Sequence, residues 1–403
     1  MRILFANHTG SFSGAEVSLM RVVEGLRRDH DVAIACPAEG PLREAVERAG
    51  VSWLDVPNVD VSLRPHPVHT PVGLWQLRSA GAALARASRD WRADVIHANT
   101  PRAGLMGALA QRLGAAPMVV RAHEHLPPSP IGRASRAVIV RSALAVAAVS
   151  DFTAERFNEG LPRPVATRVY NSVDLACLEA GRLRPAPLRA ELGLAPGSFL
   201  LGQVAQITPW KGQDTAIRAL AGVRAAGLDA HLAIVGKVVF GGKRVRHDNH
   251  AYQAELEQLV DELDLSHAVH FLGQRTDVAE VLAAFDLSLL PSWEEPFGLV
   301  TVESLAAGTP PLVSANGAGP ELVHDGVTGR LVAPKQPAAW AAAARDLLED
   351  PEALRRMAER GPGAAARFND AAHAGEMLAL YATAAAGEPA KARRAGRLAP
   401  RRA

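Results

Sequence analysis

The sequence predicts an α/β protein made of two doubly wound parallel-sheet domains in tandem, and three observations carry that reading. Short runs rich in Val, Ile, Leu and Ala alternate with stretches of helical period, the pattern of a parallel sheet wrapped by helices. The rhythm breaks once, in a Pro- and Arg-rich stretch around 182–197, and then restarts. With 403 residues, 48% hydrophobic and 21% charged, the chain is longer than one hydrophobic core usually organises.

In the first half the expected order is a strand at 2–7 (RILFAN), a helix near 14–28, a strand at 31–36 (DVAIAC), a helix near 40–49 and a strand at 51–56 (VSWLDV). Further strands are expected at 94–99 (DVIHAN), 118–123 (MVVRAH) and 144–150 (LAVAAVS). After the break they recur at 199–207, 231–236, 268–273, 286–292, 310–315 and 329–334. The expected domains are therefore 1–181 and 199–366, joined by a linker at 182–198, with a helical segment at 367–386 and a tail at 387–403. In open parallel sheets ligands bind beyond the carboxyl ends of the strands, so chemistry-bearing residues should follow strands, and two such domains facing each other would form an interdomain cleft.

Composition limits the partners. Lys and Arg number 44 against 42 Asp and Glu, a net +2, which gives the whole molecule no strong field for nucleic acid. The tail GEPAKARRAGRLAPRRA carries +5, leaving −3 on the rest, and its composition reads as a solvated end. Only Cys36 and Cys177 occur, too few for a disulfide framework or a metal knuckle, so a reducing compartment is expected. The amino terminus is unlike a secretory signal and no apolar run approaches 18 residues; the expectation is a cytoplasmic protein, at most peripheral to a membrane.

Several motifs follow expected strands. Glu295, in SWEEPFGLVTVESLAAG, sits just before a helix amino terminus, where exposed amides favour an ionised carboxylate able to accept hydrogen bonds from sugar hydroxyls or to stabilise developing positive charge. Glu303 lies about a turn and a half into that helix among apolar neighbours, where a carboxylate needs a partner. Lys211, between Pro209 and a helix, has the position of a phosphate-binding lysine. Gly317 and Gly319 permit close backbone approach ahead of another helix, and His123 stands just past a strand end. The loop NHTGSFSGAE at 7–16 opens a helix after the first strand without the full dinucleotide pattern G-x-G-x-x-G. Each motif taken alone also fits a structural role: a dipole-capping acid, a salt-bridged helix glutamate, a loop-tip lysine, a plain turn.

Together they resemble the retaining glycosyltransferases of family 4, whose GT-B fold has two Rossmann-like domains. The resemblance spans nearly the whole chain, from SGAE to FNDAAHAGEMLALY at 368–381. Its most specific part is EPFGLVTVESLAAGTPPLVSANGAGPELVHDGVTGRLV, 295–332, which looks like that family's E-x7-E signature with its glycine turn and DGxxG hairpin; VYNSVDL, VAQITPWKG and FLGQRTDVAEVLAAFD follow in the same order. The resemblance implies an acceptor-binding first domain, a nucleotide-sugar-binding second domain, and a helix at 367–386 that returns to the first. It implies that Glu303 holds the ribose of a nucleotide-sugar, preferably UDP-linked, and that Glu295 and His123 act at the transferred sugar. Lys211, Gly14 and the position of Gln206 would meet the diphosphate. Backbone around Phe297, Gly298, Leu299, Gly317, Ala318 and Gly319 would contact sugar or phosphate, and Gln274 and Arg275 would meet the base, mainly through backbone.

The expected reaction moves a hexosyl or N-acetylhexosaminyl unit to an acceptor hydroxyl with retention, with no cofactor and no metal. DHD at 29–31 reads as surface charge, and RHDNH at 246–250 is a weak metal candidate. One departure matters: the family commonly has arginine where this chain has Gln206, and Lys237, Lys243, Arg244 or Arg246 from a basic insertion are candidates to replace it. Rival readings are a nucleotide-sugar epimerase or sugar phosphorylase of the same fold, or a catalytically silent binding subunit. Arg133, Arg136 and Arg141 on an amphipathic segment at 131–146 raise peripheral membrane contact, against which a core-facing helix is preferred. Residues 64–75 and 124–132 are the candidate loops for shaping the acceptor site.

Overall fold

Thirteen short strands of three to six residues form among the described residues, most of them where β-branched, Leu or Ala residues run together. The structure is a computed structural model that describes residues 1–60, 69–239 and 247–386. It divides into two compact units, Met1–Tyr170 with the chain from His373 onward, and Asn171–Ala372.

The first unit holds β1 (Arg2–Ala6), β2 (Asp31–Cys36), β3 (Ser52–Asp55), β4 (Val95–Ala98), β5 (Met118–Ala122), β6 (Ala145–Ala148) and β7 (Ala166–Arg168), ordered β3-β2-β1-β4-β5-β6-β7. Every pairing is parallel. A parallel sheet is covered on both faces, and the central strands β1, β4, β5 and β6 are correspondingly buried at nearly every position, while the edge strands β3 and β7 are partly exposed. One face packs on the helices Pro101–Arg112 and His69–Asp90 through Met106, Ala103, Leu84 and Leu77. The other packs on Leu19, Val22, Val23 and Leu26 of the helix Gly14–Leu26, and on Met377, Tyr381 and Ala384 of the helix Asp370–Ala385. That last helix is fastened by a polar contact as well: the Tyr381 hydroxyl lies 2.6 Å from His97 Nδ1 at the centre of the sheet. Burial pushes the His97 imidazolium down to about 3, with the Arg121 charge adding to it, so the ring is neutral.

The second unit holds β8 (Phe199–Val204), β9 (Ala230–Val235), β10 (Val269–Gly273), β11 (Leu287–Leu290), β12 (Pro311–Ser314) and β13 (Arg330–Val332), ordered β10-β9-β8-β11-β12-β13, again all parallel. Fully buried Trp340 anchors the helix Pro337–Leu348, its indole N–H donating to Ala333 O at 2.9 Å. This unit also contains residues 182–198, where Leu188–Glu191 is a short helix and Gly181 packs against the backbone at Ala279. The sheet order reverses between β1 and β4 in one unit and between β8 and β11 in the other, and at such a switch point the adjoining loops separate to leave room for a ligand.

No helix among the described residues is long and apolar enough to cross a membrane. The helix Pro130–Ser142 turns Ile139 into the core, while Arg136 donates to Phe157 O and Glu159 O and Arg133 to Pro128 O. Arg133 and Arg136 are thus engaged by carbonyls of their own unit. The basic tail from 387, and Lys243, Arg244 and Arg246, lie outside the described residues, as do residues 61–68.

Candidate active site

The strongest cluster of chemistry lies at the switch point of the second unit. After β8 the chain makes one turn of 3-10 helix at Pro209–Lys211, reverses at Gly212, and enters the helix Gln213–Ala225. Gly212 has φ 70, and a Cβ there would collide with the carbonyl of Pro291, so only glycine brings this loop against the end of β11. Two buried glutamines hold the loop from opposite ends. The side-chain amide of Gln203 donates to Lys211 O at 2.8 Å, and that of Gln213 to Gln206 O at 2.9 Å.

Lys211 and Glu295, 84 residues apart, meet directly. Lys211 Nζ lies 2.6 Å from Glu295 Oε2, and 4.1 Å from the ring centroid of Trp210. Ser292 Oγ donates to the same carboxylate oxygen at 2.9 Å. Both charged side chains are largely withdrawn from solvent, at 18% and 15% exposure. Sequence reasoning gave the two residues separate roles and did not foresee this pair, nor Ser292, Gln203 or Gln213 as its supports.

The backbone of Glu295 is fixed by the next loop. Ala318 N donates to Glu295 O at 2.8 Å, and Gly317 pairs with Glu295 as an isolated parallel bridge. Gly317 has φ 100, and a Cβ would strike the backbone of Glu295. Gly298, also left-handed, caps the helix Leu299–Ala306, which carries Glu303. Phe297 turns its ring into the core, edge-on to Phe368 at 5.9 Å, which leaves its backbone as the part available to a ligand. Gly319 begins the short helix Gly319–Leu322.

Gln274 is exposed at the end of β10, two strands away from β8. The neighbouring Arg275 side chain is occupied. Its Nε and Nη2 reach the two oxygens of Asp277 at 2.9 and 2.6 Å, and Nη1 reaches Glu191 at 3.0 Å. Hydrogen bonds to Asp277 and Glu191 raise the Arg275 pKa, and the guanidinium in turn lowers that of Asp277. Lys237 is exposed, and its carbonyl accepts from Ile207 N at 3.0 Å, beside the loop that carries Gln206.

In the first unit the carboxyl edge near the switch point is polar. Gly14 is the first residue of its helix, after a capping box in which Ser13 and Glu16 exchange bonds. His123 follows β5, with Nε2 3.2 Å from Asn99 Oδ1. Burial holds the His123 imidazolium well below its ordinary range, and Arg121 and His97 reinforce this. Asp29 and Asp31 stand at the opposite, amino-terminal end of the sheet, exposed. Asp248 caps the helix Asn249–Glu262 rather than joining a ligand set. Among the described residues no group of three His, Cys, Asp or Glu side chains is arranged to hold a metal ion.

Comparison with known proteins agrees with this architecture. Residues 186–363 match the family described as Glycosyl transferases group 1, and residues 12–176 match Glycosyltransferase Family 4. The chain is 34% identical over 311 residues to a D-inositol 3-phosphate glycosyltransferase of Nocardia farcinica, covering 72% of this chain and 66% of that protein. It is 32% identical over 288 residues to one of Mycobacterium marinum, covering 67% and 59%. The chain thus spans somewhat less than two thirds of the length of these relatives. The crystal structure of Anabaena Alr3699/HepE in complex with UDP-glucose superimposes with a TM-score of 0.79 at 28% identity, over 94% of this chain and 99% of that one. With both family matches, both parallel sheets and this likeness in place, the chain belongs to glycosyltransferase family 4 and has the GT-B fold.

Proposed function

We propose that the protein is a retaining glycosyltransferase that moves a hexosyl or N-acetylhexosaminyl unit from a UDP-sugar to an acceptor hydroxyl. The observation that carries this is the Lys211–Glu295–Ser292 cluster at the switch point of the second unit, a cation and an anion built on adjoining loops and largely shielded from water. The Anabaena Alr3699/HepE crystal structures in complex with UDP and with UDP-glucose support uridine as the base. The names of the curated relatives make an inositol phosphate the first acceptor to try.

In this reading Lys211 and the amides of the loop around Gly14 neutralise the diphosphate, Glu303 holds the ribose, and the main chain at Gln274 and Arg275 meets the base. Glu295 faces positive charge developing at the anomeric carbon, and His123 contacts the donor sugar. The bond from the anomeric carbon to the phosphate oxygen breaks as the acceptor oxygen attacks the same face. The acceptor's proton passes to the departing phosphate oxygen, giving an α-glycoside and UDP. No protein nucleophile is required by this sequence of events.

Gln206, where the family commonly places arginine, favours a second reading: a sugar-nucleotide-binding subunit without turnover. A thermal-shift panel of UDP, GDP, ADP and dTDP on wild type and Lys211→Ala tests the first. Ligand bound only to the native state raises the melting temperature. A shift selective for UDP and lost in the variant is expected; no shift with any nucleotide overturns the donor assignment. Binding of UDP without release of UDP from any UDP-sugar would move the subunit reading to the front.

A further inference from the structure

Asn7, Glu16 and Asn99 of the first unit are 0%, 2% and 1% exposed, and buried polar groups of this kind persist only when their hydrogen bonds are met. They are met by one another. Asn99 Nδ2 donates to Ala15 O at 3.3 Å and to Asn7 Oδ1 at 3.2 Å. Asn7 Nδ2 donates to Thr9 O at 2.8 Å and to Glu16 Oε1 at 3.1 Å. Glu16 Oε2 accepts from the amide and hydroxyl of Ser13, at 2.9 and 2.7 Å.

The chain of bonds has a single sense. Main-chain carbonyls and a carboxylate only accept, so the contacts to Ala15 O, Thr9 O and Glu16 fix which end of each amide carries nitrogen. Asn99 therefore turns its oxygen to His123 Nε2, and that oxygen has no hydrogen to give. The bond exists only if His123 Nε2 carries the proton.

We infer that Asn99, oriented by Asn7 and Glu16, locks His123 in its Nε2-protonated tautomer, so that His123 presents an Nδ1 lone pair that accepts a hydrogen bond from a sugar hydroxyl. A neutral imidazole has one bound proton, and the surroundings keep this ring neutral: burial does most of it, and the Arg121 cation adds to it. Nδ1 makes no hydrogen bond among the described residues. Asn7, Asn99 and Glu16 are thus positioning residues, and the same network ends at Ser13, next to Gly14. The inference rests on the role proposed above for His123 at the donor sugar. It adds the chemical class that the site takes there: a hydroxyl, which can donate, rather than a carboxylate, which would face a lone pair.

Nitrogen-15 NMR of protein labelled at histidine, with the His123 signals assigned through His123→Gln, reads the tautomer directly. The wild type should show a protonated Nε2 and an unprotonated Nδ1 between about pH 6 and 8, where a histidine of ordinary pKa titrates. Asn99→Leu removes that acceptor and should mix the two forms. With UDP-glucose as the probe and water as acceptor, Asn99→Leu should lower kcat/KM about tenfold, the effect of one well-placed hydrogen bond. Its Kd for UDP, which lacks the sugar, should stay within about twofold, a split that mere structural damage would not give. A wild-type His123 protonated on Nδ1, or an Asn99→Leu spectrum identical to wild type, overturns the inference. Absence of UDP binding by the wild type would instead overturn the proposed function, and the tautomer measurement would still decide the network.

Discussion

Glu295→Gln should make the protein bind UDP more tightly while abolishing turnover. In the structure Lys211 is already neutralised by Glu295 at 2.6 Å, so a diphosphate must compete with that carboxylate for the same ammonium. With an effective dielectric near 20, the gross attraction of such a pair is about 4–6 kcal/mol. Desolvation of two side chains that are only 18% and 15% exposed cancels much of this, leaving a net value on the order of 1–2 kcal/mol. Replacing the carboxylate with the isosteric amide removes the competitor, and UDP affinity should rise by about 5- to 30-fold. Isothermal titration with UDP on wild type and variant gives the number. The unliganded variant should melt at a lower temperature, since it has lost the pair, and regain most of the difference with UDP. Equal or weaker UDP binding by Glu295→Gln would refute the competition and show that Glu295 organises the lysine instead.

Three further outcomes follow from the same geometry. Gly317→Ala forces a Cβ into the backbone of Glu295 at φ 100, a strain of about 1–3 kcal/mol; donor turnover should drop sharply while Kd for UDP changes little, as measured by titration beside a UDP-release assay. Arg275→Ala frees the loop after β10 from Asp277 and Glu191, and should raise the Kd for UDP several-fold with little change in melting temperature, because that ion-pair network is partly solvent-exposed. The third concerns pH. His97 and His8 are held neutral by burial, each pushed down to about 3, so the unfolded chain takes up protons first and stability is lost as pH falls below about 6.5. At pH 5 each should contribute a loss of about 2 kcal/mol, visible in urea unfolding as a falling midpoint. A flat midpoint between pH 7 and 5 would contradict that assignment.

The strands were legible because a parallel sheet buried on both faces has to be written as continuous apolar runs. RILFAN, DVAIAC and FLLGQV lie over strands that begin and end within a few residues of the runs. β7 was missed because three residues, Ala166–Arg168, pair along a single neighbour and bring no apolar run of their own. Residues 69–90 form a 22-residue helix that the sequence reading did not assign. Strand order was beyond reach: nothing local states that β8 lies beside β11, and that adjacency is what brings Lys211 onto Glu295.

The site divided along the same line. Glu295, Glu303, Lys211 and the glycines stood out as residue types at turns after strands. Asn7 and Asn99 are the last residues of the strands expected at 2–7 and 94–99 and drew no functional reading; in the structure each directly follows a strand, and those strands, β1 and β4, are neighbours across the switch point. A buried asparagine in that position is a signal only once the pairing is known. Of the basic insertion, Lys237 stands exposed beside the Gln206 loop, while Lys243, Arg244 and Arg246 lie outside the described residues.

The measurement that bears most directly on glycosyl transfer with retention is proton NMR of UDP-glucose turnover with water as the acceptor, followed from the first minutes. The account predicts release of UDP together with glucose that appears first as the α-anomer and only later equilibrates, with both signals absent in Lys211→Ala. Glucose appearing first as the β-anomer would contradict retention, and conversion of UDP-glucose into another UDP-sugar without release of UDP would contradict transfer itself.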